Sequence, residues 1–342
     1  MPKGVPVSIV SVFQLFKFLQ KQYDFNENDS FLQCFEWTFD MSVLALFSAF
    51  LNGSSCYLLP KKGIKWVNIL KYTQQYPITV LALVPSVIYL SKKYLPNLSF
   101  PKVRYCLFSG EALLHSHAKI WAKALPNAKV ENLYGLTESA VVISYYLFDE
   151  TKSETESFND VVPIGHFFPE VDILVLNEKG ENAAVNEIGE LCLAGKQLID
   201  TYINGVYPER FFEQKHQGES KLFYKSGDLV KKNEKGNYLY VGRNDEQVQV
   251  QGYRVELREI EQVLGEITQN NVAVITKTDT NNQIFLYAFV EKNAFTEKQI
   301  LAQLSEKLNF YMIPKRIITL ESLPLSLNGK IDKKTLKQQI HQ

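Results

Sequence analysis

Within residues 8–22, apolar side chains fall at Val12, Leu15, Phe16 and Leu19, the i, i+3, i+4, i+7 spacing of a helix that buries one stripe. The pattern then shortens into apolar runs punctuated by turn residues. Residues 54–60 lie between Asn52-Gly53 and Lys61-Lys62-Gly63, the bounds of a short buried strand. Beyond them, 64–76 reads as helix, 79–84 as buried strand, 86–94 as helix, 103–109 as strand, 113–124 as helix and 129–134 as strand. Strands alternating with helices predict βαβ units and a largely parallel sheet. In such a sheet a ligand sits beyond the carboxyl ends of the strands, where Ser109-Gly110-Glu111 and residues 134–138 both fall.

After residue 148 the rhythm changes. Residues 149–160 are polar and acidic, which predicts a surface loop. Short strands at 171–176, 189–194, 222–224 and 238–241, separated by Gly and Asn turns, predict a small antiparallel barrel or sheet. A second change near 242–247 opens a strand (247–250), a helix (256–266), two strands (272–276 and 284–290), a helix (297–308) and a basic tail, enough for a small α+β domain. The expected class is α/β: a core over 1–243, with a parallel sheet and helices in 1–150 and a small β-barrel in 151–243, then an α+β domain over 244–342.

Composition narrows the chemistry. A chain of 342 residues exceeds what one hydrophobic core usually organises. Its 37 basic and 37 acidic side chains cancel, which argues against nucleic acid as partner. The longest apolar stretches, Met41–Leu51 and residues 80–90 with Pro85 inside, fall short of the ~20 residues of a membrane span. No small-residue cleavage site follows the apolar residues 5–12, so no secretory signal is expected. Cys34, Cys56, Cys106 and Cys192 are scattered without a C-x-x-C pair, which suits buried thiols in a reducing cytoplasm. Neither G-x-S-x-G nor G-x-G-x-x-G occurs, and Ser116-His117-Ala118-Lys119 matches S-x-x-K without its companion motifs.

Five segments remain, in a fixed order: Asn132-Leu133-Tyr134-Gly135-Leu136-Thr137-Glu138; Gly189-Glu190-Leu191-Cys192-Leu193-Ala194-Gly195; Tyr224-Lys225-Ser226-Gly227-Asp228-Leu229; the run from Gly242-Arg243-Asn244-Asp245 through Gly252-Tyr253-Arg254-Val255-Glu256-Leu257; and Leu323-Pro324-Leu325-Ser326-Leu327-Asn328-Gly329-Lys330-Ile331-Asp332. Together they resemble the adenylate-forming (AMP-binding) superfamily: adenylation domains of nonribosomal peptide synthetases, D-alanine–carrier-protein ligases and acyl-CoA synthetases. The resemblance implies ATP and Mg²⁺ as cofactors and a carboxylate that attacks the α-phosphorus of ATP. Both reactants are anionic, so such catalysis rests on positioning and charge stabilisation.

By that resemblance Lys330, Thr137 and Glu138 are catalytic, with Glu138 holding the metal. Tyr134, Gly135, Asp228 and Arg243 bind nucleotide, Asp228 through the ribose hydroxyls. Asp40, in Phe39-Asp40-Met41-Ser42, faces a substrate ammonium, while Met41, Leu44, Leu133, Val141 and Val142 line a side-chain pocket suited to a small or aliphatic amino acid. Asp245 is the hinge of a mobile C-terminal domain, and Gly252 lies in the loop that meets the thiol. Taken singly, Thr137 also reads as a turn cap, Asp40 as a helix N-cap, Asp228 as a turn residue, and Arg243 and Lys330 as solvated cations. The family's phosphate loop survives only as Met1-Pro2-Lys3-Gly4-Val5, so the resemblance implies a core truncated at its N-terminus: a shortened gene, an alternative start, or half of a split enzyme completed by an N-terminal polypeptide. A phosphopantetheinyl carrier protein is expected to act in trans. The alternatives are an acyl-CoA ligase and a non-catalytic remnant that binds a partner.

Overall fold

Ser8 starts the first helix: its hydroxyl accepts from the Ser11 N–H, satisfying one of the orphan donors of the first turn. This helix, α1 (Ile9–Gln22), buries Leu15, Phe16 and Leu19, the stripe its spacing predicts. It is followed by β1 (Ser30–Gln33), α2 (Met41–Leu51), β2 (Ser55–Leu58), α3 (Lys65–Gln75), β3 (Val80–Leu83), α4 (Ser86–Ser91), β4 (Tyr105–Phe108), α5 (His115–Lys123) and β5 (Lys129–Tyr134). Then come β6 (Ser144–Leu147), α6 (Glu150–Glu156) and β7 (His166–Phe167). This computed structural model describes residues 3–244, 247–279, 283–325 and 331–340.

These seven strands form one sheet in the order β2-β1-β3-β4-β5-β6-β7. The first five run parallel, and β6 and β7 are antiparallel additions. Strands β1, β3 and β4 are buried throughout, as parallel strands covered by helices on both faces must be. Their amino ends are pinned by Asp29, 1% exposed, which takes Arg104 Nη1 at 2.8 Å on each oxygen and Thr79 Oγ1 at 2.6 Å. The carboxyl ends are left to the loops that carry the candidate site.

The same unit continues with β8 (Asp172–Leu176), β9 (Gly189–Ala194), β10 (Phe211–His216), β11 (Glu219–Lys232) and β12 (Tyr238–Arg243), all paired antiparallel. Their order is β10-β11-β9-β8 with β12 on β11; no pairing among the described residues closes it, so the barrel-or-sheet alternative resolves as an open sheet. The chain divides into units Lys3–Asn244 and Asp245–Gln342. The second contains the hairpin β13 (Gln247–Val250) and β14 (Tyr253–Glu256), then α7 (Leu257–Thr268), β15 (Val272–Thr278), β16 (Ile284–Glu291), α8 (Glu297–Lys307), β17 (Arg316–Leu320) and α9 (Lys333–Gln339). Strands β15-β16-β17 form its sheet, packed around Ile260, Leu264, Val274, Ala288, Ile300 and Leu304.

Several elements depart from the sequence reading. Residues 54–60 give β2 at the sheet edge, with Ser55 and Leu58 exposed rather than buried. Residues 149–160 contain α6, whose first N–H groups at Thr151 and Lys152 bond to the Asp149 carboxylate. Burial of Glu156 beneath Tyr146, Lys235 and Asn237 holds its other end. The strand at 222–224 lies in the first half of the long β11, which then passes through a bulge and a left-handed Gly227 (φ 78°). Among the cysteines, Cys56 is half-buried and the other three are buried.

Candidate active site

Strand β5 delivers Tyr134 to the carboxyl edge of the sheet, and the chain turns sharply there. Residues Thr137–Ser139 form one 3₁₀ turn, after which Ala140 (φ 51°) and Val141 (φ 83°) are both left-handed. That conformation is unfavourable for any residue with a Cβ, a β-branched one most of all. The turn folds back on Gly135: a Cβ there would lie 2.2 Å from the Val141 carbonyl oxygen and 2.4 Å from the Val142 Cα. Only glycine fits that position.

Five expected residues meet around this edge. The Tyr134 hydroxyl donates to Asp228 Oδ2 at 2.5 Å. Asp228 pairs across strands with Arg243, whose Nη1 donates to Asp228 Oδ1 at 2.5 Å while Nη2 reaches the Ser226 carbonyl at 3.1 Å. Burial, then the Asp228 charge, push the Tyr134 hydroxyl well above its usual range, so it remains a donor. On the other side, Thr137 Oγ1 donates to Asp40 Oδ2 at 2.9 Å. Asp40 occupies the N-cap position of α2 but is helical in backbone and makes no side-chain cap bond, so the helix-cap reading fails. The apolar candidates Met41, Leu44, Leu133, Val141 and Val142 are all buried in the same core.

Glu138 is fully buried. Its Oε1 accepts from the Tyr202 hydroxyl at 2.5 Å and the Tyr224 hydroxyl at 3.0 Å, and those two hydroxyls lie 2.9 Å apart. Hard oxygens of Glu138 and Thr137 suit Mg²⁺, which commonly takes one or two carboxylates and completes its shell with water and substrate phosphates. Among the described residues no group of three or more His, Cys, Asp or Glu could hold a metal. Glu138 and Thr137 are the residues that would hold such an ion together with a nucleotide's phosphates. Gly252 (φ 84°) follows left-handed Gln251 in the β13–β14 hairpin turn, the conformation a two-residue hairpin needs. Lys330 and Asp245 lie outside the described residues.

Sequence reasoning missed three partners of this site. Tyr224 stands inside one of the quoted motifs without an assigned role. Tyr202 and Gln197 lie in an irregular segment with no periodicity to flag it, although aromatic and amide side chains amid an apolar run are a weak signal of buried hydrogen bonding.

The fold thus joins a parallel sheet to an antiparallel companion sheet, with an aromatic–carboxylate–guanidinium cluster at the carboxyl edge. The chain belongs to the AMP-binding enzyme family, whose model matches residues 1–203. It is 33% identical over 349 residues to a mycosubtilin synthase polypeptide of Bacillus subtilis, and 30% over 341 residues to bacitracin synthase 1 of Bacillus licheniformis. Each match covers 98% of this chain but only 13% and 6% of those proteins. In structure it is similar to the Vibrio cholerae adenylation domain AlmE in complex with glycyl-adenosine-5'-phosphate: TM-score 0.87, 33% identity, 99% of this chain and 64% of that one. Holo-PA1221, an NRPS protein containing adenylation and PCP domains, shares the fold at TM-score 0.79 and 23% identity, over 94% of this chain and 55% of that one. No helix among the described residues is long and apolar enough to cross a membrane.

Proposed function

We propose that this chain activates an amino acid as its adenylate and passes the acyl group to the phosphopantetheine thiol of a carrier protein domain, in the cytoplasm. The observation that carries the reading is the continuous chain of contacts from Arg243 through Asp228 and Tyr134, around the β5 turn, to Thr137 and Asp40. It joins residues suited to a nucleotide with one suited to an ammonium.

In the first half-reaction a substrate carboxylate oxygen bonds to the α-phosphorus, and the bond to the β-phosphate oxygen breaks, so pyrophosphate leaves with the electron pair. In the second, a thiolate attacks the acyl carbon and AMP leaves. Tyr134 offers a ring face to adenine. Asp228, oriented by Arg243, receives ribose hydroxyls, because a carboxylate takes several donors at once. Asp40 opposes the ammonium, a role that a half-buried carboxylate fits. Mg²⁺ bound at Glu138 and Thr137 would neutralise phosphate charge. Lys330 would bridge the α-phosphate and the substrate carboxylate, and Asp245 would be the pivot that brings Gly252 to the thiol. The bulky apolar set around Val141 and Val142, with the glycyl adenylate held by AlmE, supports a small amino acid.

The test is amino-acid-dependent ATP–pyrophosphate exchange, with and without added N-terminal adenylation-domain polypeptide. Exchange driven by glycine or another small amino acid, and lost in Lys330→Ala, is the expected result. Exchange driven equally by acids lacking an amine, and indifferent to Asp40→Ala, would favour an acyl-CoA ligase. A flat response under both conditions would overturn the catalytic reading in favour of a partner-binding role.

A further inference from the structure

Directly after β9 the chain leaves the sheet as an irregular strap, and three of its residues grip the turn beyond β5. The Ile199 N–H donates to the Glu138 carbonyl at 3.0 Å. The Tyr202 hydroxyl takes the Glu138 carboxylate. Ahead of both in the chain lies Gln197, 4% exposed, whose amide nitrogen is 2.8 Å from the Ser139 carbonyl, 2.6 Å from that of Val142 and 3.4 Å from that of Ala140.

A primary amide has two N–H groups, so the two short contacts are full hydrogen bonds and the third is shared. The carbonyls they hold bracket Ala140 and Val141, both left-handed. A strained β-branched residue persists only where its surroundings over-determine it. Here the side chain that holds the carbonyls on either side of that strain is Gln197, 55 residues from Val142.

We propose that Gln197 is a positioning residue for the acyl half of the site: its amide fixes the backbone of Val141 and Val142, and through them the wall that reads the substrate side chain. The inference rests on the reading of those two valines as substrate wall. The amide nitrogen of Gln197 is spent on these carbonyls, whereas the Tyr134–Asp228–Arg243 cluster and the Thr137–Asp40 pair are joined by other bonds. Its effect therefore falls on the acyl group and spares the nucleotide.

The test compares affinity for AMP with affinity for glycyl- and alanyl-sulfamoyl adenosine, unreactive isosteres of the adenylate, by calorimetry on the whole chain. Gln197→Met keeps the volume and removes both donors. The expected result is an AMP affinity within about twofold of the parent, and a loss of about tenfold in the preference for the acyl analogue over AMP, the size of one lost buried hydrogen bond. Gln197→His keeps a ring N–H at similar reach and should retain most of that preference. An unchanged preference in Gln197→Met, or parallel loss of both affinities, overturns the proposal. So does a Gln197→His variant that folds and binds AMP but has lost the preference, which keeps the test decisive if the Met variant does not fold. A parent chain that binds AMP yet shows no gain from the acyl group refutes the amino-acid reading itself, a distinct outcome.

Discussion

Removing the Tyr202 hydroxyl tests the buried arrangement at Glu138 most directly. Three oxygens meet there: Glu138 Oε1 to Tyr202 at 2.5 Å, to Tyr224 at 3.0 Å, and hydroxyl to hydroxyl at 2.9 Å. Two protons serve these three separations, so at most two are hydrogen bonds at once. The shortest ends on a carboxylate and is charge-assisted. Burial, followed by the Glu138 charge, pushes the Tyr202 hydroxyl far above its usual range, which keeps its proton in place for donation. Tyr202→Phe retains the ring and its edge contacts with Tyr207 and Phe211, both at 5.8 Å between centroids. The loss is then the hydrogen bond alone, about 1.5–3 kcal/mol for a charged acceptor.

Tyr224→Phe removes the longer bond and should cost about 1 kcal/mol. Each hydroxyl is the other's substitute as donor, so the double variant should lose more than the sum, by about 0.5 kcal/mol or more. Urea unfolding followed by tryptophan fluorescence reads this cleanly. The three tryptophans, Trp37, Trp66 and Trp121, all lie in the unit Lys3–Asn244, so the signal reports that unit alone. A Tyr202→Phe loss below about 0.5 kcal/mol, or a larger loss from Tyr224→Phe than from Tyr202→Phe, would refute this ranking of the two bonds.

Other substitutions probe the same unit and its neighbour. Gly135→Ala places a Cβ 2.2 Å from a backbone oxygen that has no room to retreat, and should destabilise by about 3 kcal/mol in the same urea assay; a midpoint within error of the parent would contradict the close approach. Gly265→Ala, inside α7 with nothing within 4 Å of the new methyl, should stabilise the second unit by about 0.5–1 kcal/mol, read by circular dichroism; an unchanged or lower midpoint would count against an open site on that helix. Glu156 is pushed up by burial, but Lys235 and Tyr146 more than reverse this and hold its carboxyl below the ordinary range. A depressed carboxylate stabilises above its unfolded pKa, about 4.3, and that contribution is lost as pH falls further. The gap in urea midpoint between parent and Glu156→Gln should therefore be widest near neutrality and close toward about pH 3; parallel pH profiles would exclude the mechanism.

What the sequence made legible follows from how each element is stabilised. Helix α1 buries a stripe, so spacing found it. Strand β5 is nearly continuous in buried residues and bounded by turns, and its limits matched residue for residue. Helix α2 was hidden because it is apolar on both sides: Met41, Leu44 and Ala45 are buried while Phe47, Phe50 and Leu51 are exposed, which erases the period. Strand β1 is four residues with polar ends, and α6 depends on a cap and a buried carboxylate instead of a stripe. Around the candidate site, local motifs were visible, but their partners were not. Tyr202 and Gln197 act across 64 and 55 residues, and a contact of that kind leaves no trace in the spacing of neighbours.

The turn after β5 also marks itself without reference to any motif. Within eight residues it has a glycine that admits no side chain, a fully buried glutamate, a β-branched residue at φ 83° and a run of carbonyls served by one distant amide. Strands β1 and β3, in the same sheet, run on into their helices without a single left-handed residue. Strain of this kind raises the free energy of the folded state unless the surroundings enforce it. Where several such violations converge at one point of an otherwise consistent fold, geometry is being held against local preference. The carboxyl edge of a parallel sheet is where that geometry can meet a ligand. The strap from Gln197 to Tyr202 is the device that holds it.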